Sequence, residues 1–153
     1  MRPSKPTIGW REWISLPDLG VPGIKAKVDT GARSSSLHAF DIVVVRGRGR
    51  SMVRFQISSP PDDPRPSIAC EAPLHDERQV RSSDGRQELR PVIRTRIAAL
   101  GESWDIDLTL TSRGEMGFAM LLGREAIRRR FVVDPGRSFL LKKLAKKRRP
   151  KED

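Results

Sequence analysis

Cysteine, histidine and aromatic residues are scarce in this chain of 153 residues, and long apolar runs are missing. The single cysteine, Cys70, excludes an internal disulfide, and two histidines cannot by themselves complete a zinc site, which usually has about three or four protein ligands. No segment approaches the roughly 18 consecutive apolar residues that span a bilayer, and the N-terminus lacks the apolar core of a signal peptide. We therefore expect a soluble, cytoplasmic protein without a bound metal or cofactor.

Apolar side chains make up 37% of the sequence, which is enough for a hydrophobic core. A chain of this length buries about two thirds of its unfolded surface when it folds as one domain. We predict an N-terminal strand and lead-in at residues 1–23, a main domain at 24–141 and a basic, disordered tail at 142–153.

Positive charge dominates, with a formal net charge of +11. The tail alone holds seven Lys or Arg residues against two acids, and the rest of the chain prefers arginine, whose planar guanidinium recognises carboxylates and phosphates. A basic surface attracts any polyanion. Aromatic residues make up only 5%, however, and no stacking platform or zinc-finger spacing is present, so a nucleic-acid partner is not favoured.

Short alternating segments between turn signals predict an all-β protein, a β-barrel with one short helix. In residues 92–97 and 104–110, for example, apolar and polar side chains alternate, which is typical of half-buried antiparallel strands. The predicted strands are 7–16, 24–29, 36–45, 51–58, 67–72, 90–100, 103–111 and 120–123.

Two further elements follow from local patterns. Residues 75–88 are almost wholly polar and contain Ser82-Ser83-Asp84-Gly85, a tight-turn signal, so they predict a projecting hairpin. The helix is predicted at 124–130, directly after Gly123. Residues 59–66 contain four prolines and predict an irregular loop.

The chemically suggestive sequence is Asp29-Thr30-Gly31-Ala32, at the end of the apolar strand 24–29. On its own it is also a good β-turn sequence. A second signal lies some ninety residues on, where the apolar strand 120–123 ends at Gly123 and leads into the predicted helix.

In this order, with a hairpin between them, these elements resemble the retropepsin-like aspartic peptidases over about residues 24–141. The resemblance implies a catalytic Asp29 with Thr30 and Gly31 beside it, a flap with Gly85 at its tip, and Leu122-Gly123 as a support for the active-site loop. It also implies that Ala32, Gly85, Leu122 and Gly123 belong to the substrate-binding region.

More narrowly, the chain is similar to the bacterial and archaeal family that carries the name ATP-dependent zinc proteases. The strings that carry this similarity are residues 25–33, 90–93, 108–110, 120–124 and 131–141. The resemblance also implies a functional link to ATP-grasp glutamate ligases, and so to glutamate-rich substrates.

Neither ATP nor zinc is supported by the residues themselves. The sequence has no phosphate-binding glycine loop ending in Gly-Lys-Ser/Thr, and residues 47–51 lack the third glycine of a dinucleotide fingerprint. It has no His-Glu-x-x-His, so a zinc site would have to combine His38, Cys70, His75 and nearby acids at unrelated spacings.

Peptide hydrolysis by carboxylates needs two acids, one to deprotonate water and one to polarise the scissile carbonyl. The sequence contains one Asp-Thr-Gly, so a symmetric homodimer, with Asp29 of each subunit at the two-fold axis, supplies the pair. Asp134 is the alternative second acid, although Asp134-Pro135-Gly136 is also a turn sequence.

The predicted flap is rich in arginine. If it closes over a cleft, its guanidiniums select acidic peptides, because charge-assisted contacts strengthen when water is excluded. The candidate substrate-binding arginines are Arg78, Arg81, Arg86 and Arg90.

Two other functions stay open at this point. A non-catalytic basic β-domain that binds RNA or the ribosome would explain the charge. A degenerate peptidase fold kept for dimerisation or peptide binding would explain the motifs.

Overall fold

The computed structural model describes residues 4–61, 63–81, 85–112 and 118–142. It is mostly β, with 61% of the described residues in strands and 8% in helices, which confirms the predicted all-β class. The strands are β1 Thr7–Ile8, β2 Arg11–Leu16, β3 Val21–Asp29, β4 Ser35–His38, β5 Phe40–Val45, β6 Met52–Ser58, β7 Ser67–Arg81, β8 Gln87–Ala99, β9 Glu102–Thr111, β10 Met120–Gly123 and β11 Val132–Val133. A 3-10 helix spans Pro17–Leu19, and the helix α1 spans Arg124–Ile127.

Nine strands form one sheet in the order β2-β3-β10-β4-β9-β8-β7-β6-β5. The sheet curls so far that β2 also pairs with β8, through Ser15 and Ala98. Strands β2, β3, β10, β4, β9 and β8 therefore close into a ring, and β7, β6 and β5 extend from it. This closure is the predicted barrel, and it places the N-terminal strand β2 within the wall.

The interior of the barrel is filled by aliphatic side chains that alternate with outward polar ones along each strand. Strand β2 shows the pattern, because Ile14 and Leu16 are buried while Trp13 is 38% exposed. Burial of such side chains is the main stabilising term in folding. The largest side chains with almost no exposed surface include Leu16, Leu37, Phe55, Ile57, Ile93, Ile97, Leu108, Leu110 and Met120.

Strands β7 and β8 form the long hairpin that the polar segment predicts. They pair in antiparallel register from Leu74 opposite Ile93 to Arg81 opposite Gln87, with one irregularity between Leu74 and Asp76. Gly85 has a φ of 85°, a left-handed conformation that suits glycine in a turn. Residues 82–84 of the predicted turn lie outside the described residues.

Three predicted elements have wrong boundaries. The predicted strand 7–16 is two strands, β1 and β2, which belong to different sheets. The predicted strand 36–45 is two strands, β4 and β5, which are interrupted at Ala39 and pair in different parts of the sheet. Asp41, within β5, has a φ of 53° where the pairing of β5 with β6 is irregular. The predicted helix 124–130 ends at Ile127, because Arg128 is extended and Arg129 has a φ of 72°. The chain must turn there so that β11 can pair with β1.

The N-terminal and C-terminal segments are held together by a buried acid. Glu12 has no exposed surface, and its carboxylate accepts hydrogen bonds from the backbone N–H groups of Gly9, Leu140 and Leu141 at 2.7–3.0 Å. Residues 140–142 form a helical turn there. The rest of the predicted disordered tail, residues 143–153, lies outside the described residues.

In the described part of the chain, no helix is both long enough and apolar enough to cross a membrane.

Candidate active site

Asp29 is the last residue of β3, and the parallel pairing of β3 with β10 sets it beside Gly123. Its side chain is partly buried. The backbone N–H of Gly31 donates to Asp29 Oδ1 at 3.0 Å, and the N–H of Ala32 donates to the Asp29 carbonyl at 3.2 Å. The Asp29-Thr30-Gly31-Ala32 sequence is therefore a tight loop that fixes its own carboxylate.

Space for a side chain is limited on both sides of this loop, slightly at Gly31 and severely at Gly123. A Cβ at Gly31 would lie 3.2 Å from Asp29 Oδ1. At Gly123 a Cβ would overlap the carbonyl of Ser34 and approach the carbonyl oxygen of Ala32 to 3.0 Å. The strand end at Gly123 can thus press against the loop backbone only because it has no side chain.

The start of α1 ties the same loop down. Its backbone N–H groups at Arg124 and Glu125 donate to the carbonyls of Ala32 and Arg33, at 2.8 and 3.1 Å. The buried hydroxyl of Ser35 accepts a hydrogen bond from the Gly123 N–H at 3.0 Å. The loop is therefore anchored by hydrogen bonds to both β10 and α1.

Arg124 and Ser35 are functional candidates that sequence reasoning missed. The Arg124 guanidinium donates to the carbonyls of Gly31 at 3.1 Å and Thr30 at 3.5 Å, so it holds the residues that follow Asp29. The only sequence signal is its position directly after Gly123. Ser35 has no distinguishing sequence signal, because a serine in a run of three serines looks like ordinary loop sequence.

The other residues predicted for this loop fall into two groups. Thr30 and Gly31 are exposed and Ala32 is partly buried, so all three border solvent at the strand end. Leu122 is only 2% exposed and pairs with Val28. It supports the loop from within the core.

The four hairpin arginines do not share one surface. Arg78 and Arg90 occupy directly paired positions on β7 and β8, so they project from the same face of the hairpin. Arg81 lies an odd number of positions from Arg78 and therefore projects from the opposite face. Arg86 precedes β8, beside Gly85, near the exposed tip.

A polar cleft of about 580 Å³ opens beside the Asp29 loop. The loop side supplies Arg33, Ser34 and Ser35, and the start of α1 supplies Glu125 and Ala126. The sheet contributes Arg78, Arg94, Asp105, Ile106 and Asp107. The structure thus brings one predicted substrate-binding arginine, Arg78, into a cavity next to the loop.

The remaining candidates from the sequence are scattered. Cys70 is buried, and this burial raises the pKa of its thiol to about 11. His75 Nε2 lies 3.8 Å from an oxygen of Asp107, and the Asp134 carboxylate accepts a hydrogen bond from the Gly136 N–H within a turn. His38 is the last residue of β4, and its Nδ1 is buried without a hydrogen-bond partner among the described residues.

The zinc-ligand candidates of the described residues do not gather into one site. Within the ranges that the structure describes, no three His, Cys, Asp or Glu side chains are grouped closely enough to hold a metal ion. These residues therefore do not offer the ligand set of a zinc centre.

Comparison with solved structures identifies a similar fold. The crystal structure of protein Lpg0085, of unknown function, from Legionella pneumophila superimposes with a TM-score of 0.71 at 29% identity. The match covers 89% of this chain and 98% of that one.

Curated relatives are larger proteins. The probable alpha-L-glutamate ligase of Desulfotalea psychrophila is 43% identical over 143 residues, which are 94% of this chain and 31% of that protein. The protein of the same name from Shewanella pealeana is 43% identical over 141 residues, again with 31% of its length covered. That from Parasynechococcus marenigrum is 46% identical over 134 residues. The chain spans about a third of the length of these relatives.

The family model described as "RimB-like: Retropepsin-like aspartic endopeptidase RimB" matches residues 7–144, which include the Asp29 loop, the hairpin and the β10-α1 support. Sequence motifs, barrel topology and family model agree, and the chain belongs to the RimB-like family of retropepsin-like aspartic endopeptidases.

Proposed function

We propose that the chain is an aspartic endopeptidase that acts in the cytoplasm as a symmetric homodimer. The observation that carries this proposal is the position of Asp29, at the end of a buried strand on a loop held by hydrogen bonds to β10 and α1. The sequence contains one Asp-Thr-Gly, so a second copy of the chain supplies the second acid. A residue meets its own copy only at a two-fold axis.

The chemistry follows from two identical carboxylates close together. They cannot both ionise at low cost, so they share one proton and titrate as a pair. The ionised Asp29 takes a proton from the attacking water, and the protonated Asp29 of the other subunit donates a hydrogen bond to the scissile carbonyl. The Gly31 N–H supports this arrangement because it fixes one carboxylate oxygen.

Acidic peptides, or glutamate-rich protein tails, are the substrates that the charge distribution favours. Arginine is the abundant cation around the loop and the hairpin, with Arg33, Arg78 and Arg94 in the cleft. The curated relatives carry a matching segment within proteins named probable alpha-L-glutamate ligase. A ligase that adds glutamate and a peptidase that removes it would be a chemically coherent pair, so we propose a functional link between them.

The test is Asp29→Asn, which nearly preserves shape and removes the ionisable group. We expect peptide hydrolysis to disappear while the melting temperature changes little. Asp134→Asn, at the other candidate acid, should retain hydrolysis.

Mixing the two proteins tests the dimer. Excess Asp29→Asn subunit should suppress wild-type activity as mixed dimers form, because a mixed dimer has one catalytic acid. If activity stays proportional to the amount of wild-type subunit, a single chain is sufficient and the two-fold site is wrong. If Asp29→Asn remains active and a chelator stops hydrolysis, the aspartic mechanism is wrong.

A peptide-binding domain without catalysis is the second candidate, and the cleft favours it as much as it favours a peptidase. This candidate predicts that wild-type protein binds an acidic peptide and leaves it intact. Binding of RNA rather than peptide, with a steep dependence on salt, would favour the basic-domain alternative.

A further inference from the structure

The cleft beside the Asp29 loop contains three guanidiniums and three carboxylates, from Arg33, Arg78, Arg94, Asp105, Asp107 and Glu125. Charges of opposite sign in one cavity are expected to pair, and the pairing determines which groups are available to a ligand. The distances show that the three arginines are not equally engaged.

Two of the arginines are held by acids within the cleft. Arg33 Nε donates to Glu125 Oε1 at 3.0 Å, and Arg94 Nη1 donates to Asp107 Oδ1 at 3.0 Å. Both are charge-assisted hydrogen bonds of ordinary length. These pairs give Arg33 and Arg94 a carboxylate at hydrogen-bond distance within the cleft.

Arg78 is the exception. Its Nε lies 3.8 Å from an oxygen of the Asp76 carboxylate, which is too long for a hydrogen bond. The Arg78 side chain is 40% exposed. It therefore presents hydrogen-bond donors to the cavity that the Asp76 carboxylate does not engage.

Arg90 adds to the positive potential at this point. It is directly opposite Arg78 across the hairpin, and like charges in paired positions destabilise a sheet. The Arg90 side chain is only 18% exposed, and its Nε is buried without a hydrogen-bond partner among the described residues. Its contact with Glu88 is long, at 3.4 Å. An anion beside Arg78 would relieve this repulsion.

We propose that this part of the cleft is a subsite for one side-chain carboxylate of the peptide substrate, with Arg78 as the specificity-determining residue and Arg90 at the paired position beside it. The inference rests on the proposed peptidase function, and it adds the group that is recognised and the residue that recognises it. Arg33 follows Asp29 in the same loop, so the carboxylate belongs to a residue near the scissile bond.

The acids in the cleft limit the ligand to a single negative charge at this position. Asp105 and Asp107 line the same cavity, so a doubly charged phosphate group would meet repulsion that a carboxylate largely avoids. A planar carboxylate also matches the fork of a guanidinium.

The experiment measures peptide binding in the Asp29→Asn background, where no cleavage is expected. The probes are capped, neutral peptides that carry a single Glu at each position in turn, together with matched Gln versions. At one position we expect Glu to bind about tenfold more tightly than Gln at low salt. Adding Arg78→Gln should remove that preference, because it should weaken binding of the Glu peptide far more than binding of the Gln peptide.

Two arginine variants serve as comparisons. Arg48→Gln, at an exposed site between β5 and β6, should keep the full preference for Glu. Arg81→Gln tests the opposite face of the hairpin. If Arg81→Gln removes the preference and Arg78→Gln does not, recognition lies at that face and the proposed subsite is wrong.

The two proposals fail in different ways. If wild-type protein cleaves peptides through Asp29 with no preference for Glu at any position, the subsite is wrong and the peptidase stands. If no peptide is cleaved but Arg78-dependent binding of the Glu peptide persists, the peptidase is wrong and the cleft remains a carboxylate site. Equal binding of Glu and Gln peptides also overturns the subsite.

Discussion

Asp29 and Gly123 are paired at the ends of two parallel strands, one carrying the candidate catalytic acid and the other pressing on the loop that follows it. The absence of a side chain at Gly123 lets the Ser34 carbonyl approach the strand end. The position of the acid therefore depends on a residue that is distant in sequence and has no reactive group.

The first prediction is that Gly123→Ala displaces the loop. Its Cβ would overlap the Ser34 carbonyl, so we expect a loss of about 1–3 kcal/mol in the free energy of unfolding and a large loss of peptidase activity. Urea denaturation and peptide turnover measure the two effects. Gly23→Ala is the matched control, because a Cβ there meets nothing within 4 Å. Equal effects of both substitutions would contradict the loop contact.

The second prediction concerns Arg124, a positioning residue. Arg124→Lys keeps the charge but loses the planar fork that reaches the Thr30 and Gly31 carbonyls. We expect kcat to fall about tenfold or more, with KM and the melting temperature nearly unchanged, because the loop is loosened and the cleft is intact. A fall in stability with unchanged kcat would instead assign Arg124 a purely structural role. Arg48→Lys controls for a general effect of replacing a surface arginine.

The sequence was sufficient for the elements with strong local patterns. Alternation in β8 and β9 predicts half-buried strands, and Asp29-Thr30-Gly31 at the end of an apolar strand predicts the candidate loop. Turn residues and polarity predict the tip of the hairpin. The strands of the hairpin extend further than the sequence indicates. Both faces of this segment are solvent-accessible, so the alternation of apolar and polar residues that marks a strand disappears.

The elements that were wrong or missed depend on distant partners. Residues 36–45 look continuous, but β4 pairs with β9 and β10 whereas β5 pairs with β6. The arginines at 128–130 suit a helix, yet the chain leaves it so that β11 can reach β1. Arg78 could not be distinguished from the other three arginines until the register assigned it a face.

The third prediction is that Glu12 is required for stability. Its buried carboxylate accepts three backbone hydrogen bonds, and Glu12→Ala would leave those N–H groups of Gly9, Leu140 and Leu141 without their acceptor. We expect a loss of at least about 2 kcal/mol in the free energy of unfolding, measured with urea. Glu102→Ala, at an exposed site, should change the free energy of unfolding by less than about 0.5 kcal/mol. If Glu12→Ala changes the free energy of unfolding by an equally small amount, water replaces the Glu12 carboxylate as the acceptor for the three N–H groups.

The fourth prediction is a pH dependence from the pair of Asp18 and Arg96. Hydrogen bonds of 2.6–3.2 Å from the Arg96 guanidinium lower the pKa of Asp18 below its usual value of 3.8. A carboxyl whose pKa falls on folding stabilises the protein above its unfolded pKa, and this contribution is lost as pH falls through the folded pKa. The pair is half exposed, so its contribution is below about 1 kcal/mol.

Asp18→Asn should therefore melt at a slightly lower temperature than wild type above about pH 4, and the two curves should converge in more acidic solution. Thermal melts from neutral to acidic pH measure this difference. A constant difference across the whole range would mean that shape rather than ionisation determines the contribution of Asp18.

The last prediction is that Cys70 is chemically silent in the folded protein and takes no part in hydrolysis. Burial raises the pKa of its thiol from 9.0 to about 11, which lowers the thiolate fraction at neutral pH by about a hundredfold. We expect a disulfide reagent to modify native protein at least about a hundredfold more slowly than protein unfolded in urea, because the buried thiol is also inaccessible. Peptide turnover should be unchanged after prolonged exposure of the native protein to iodoacetamide. Loss of turnover in step with alkylation of Cys70 would indicate a thiol-dependent reaction and would contradict catalysis by Asp29.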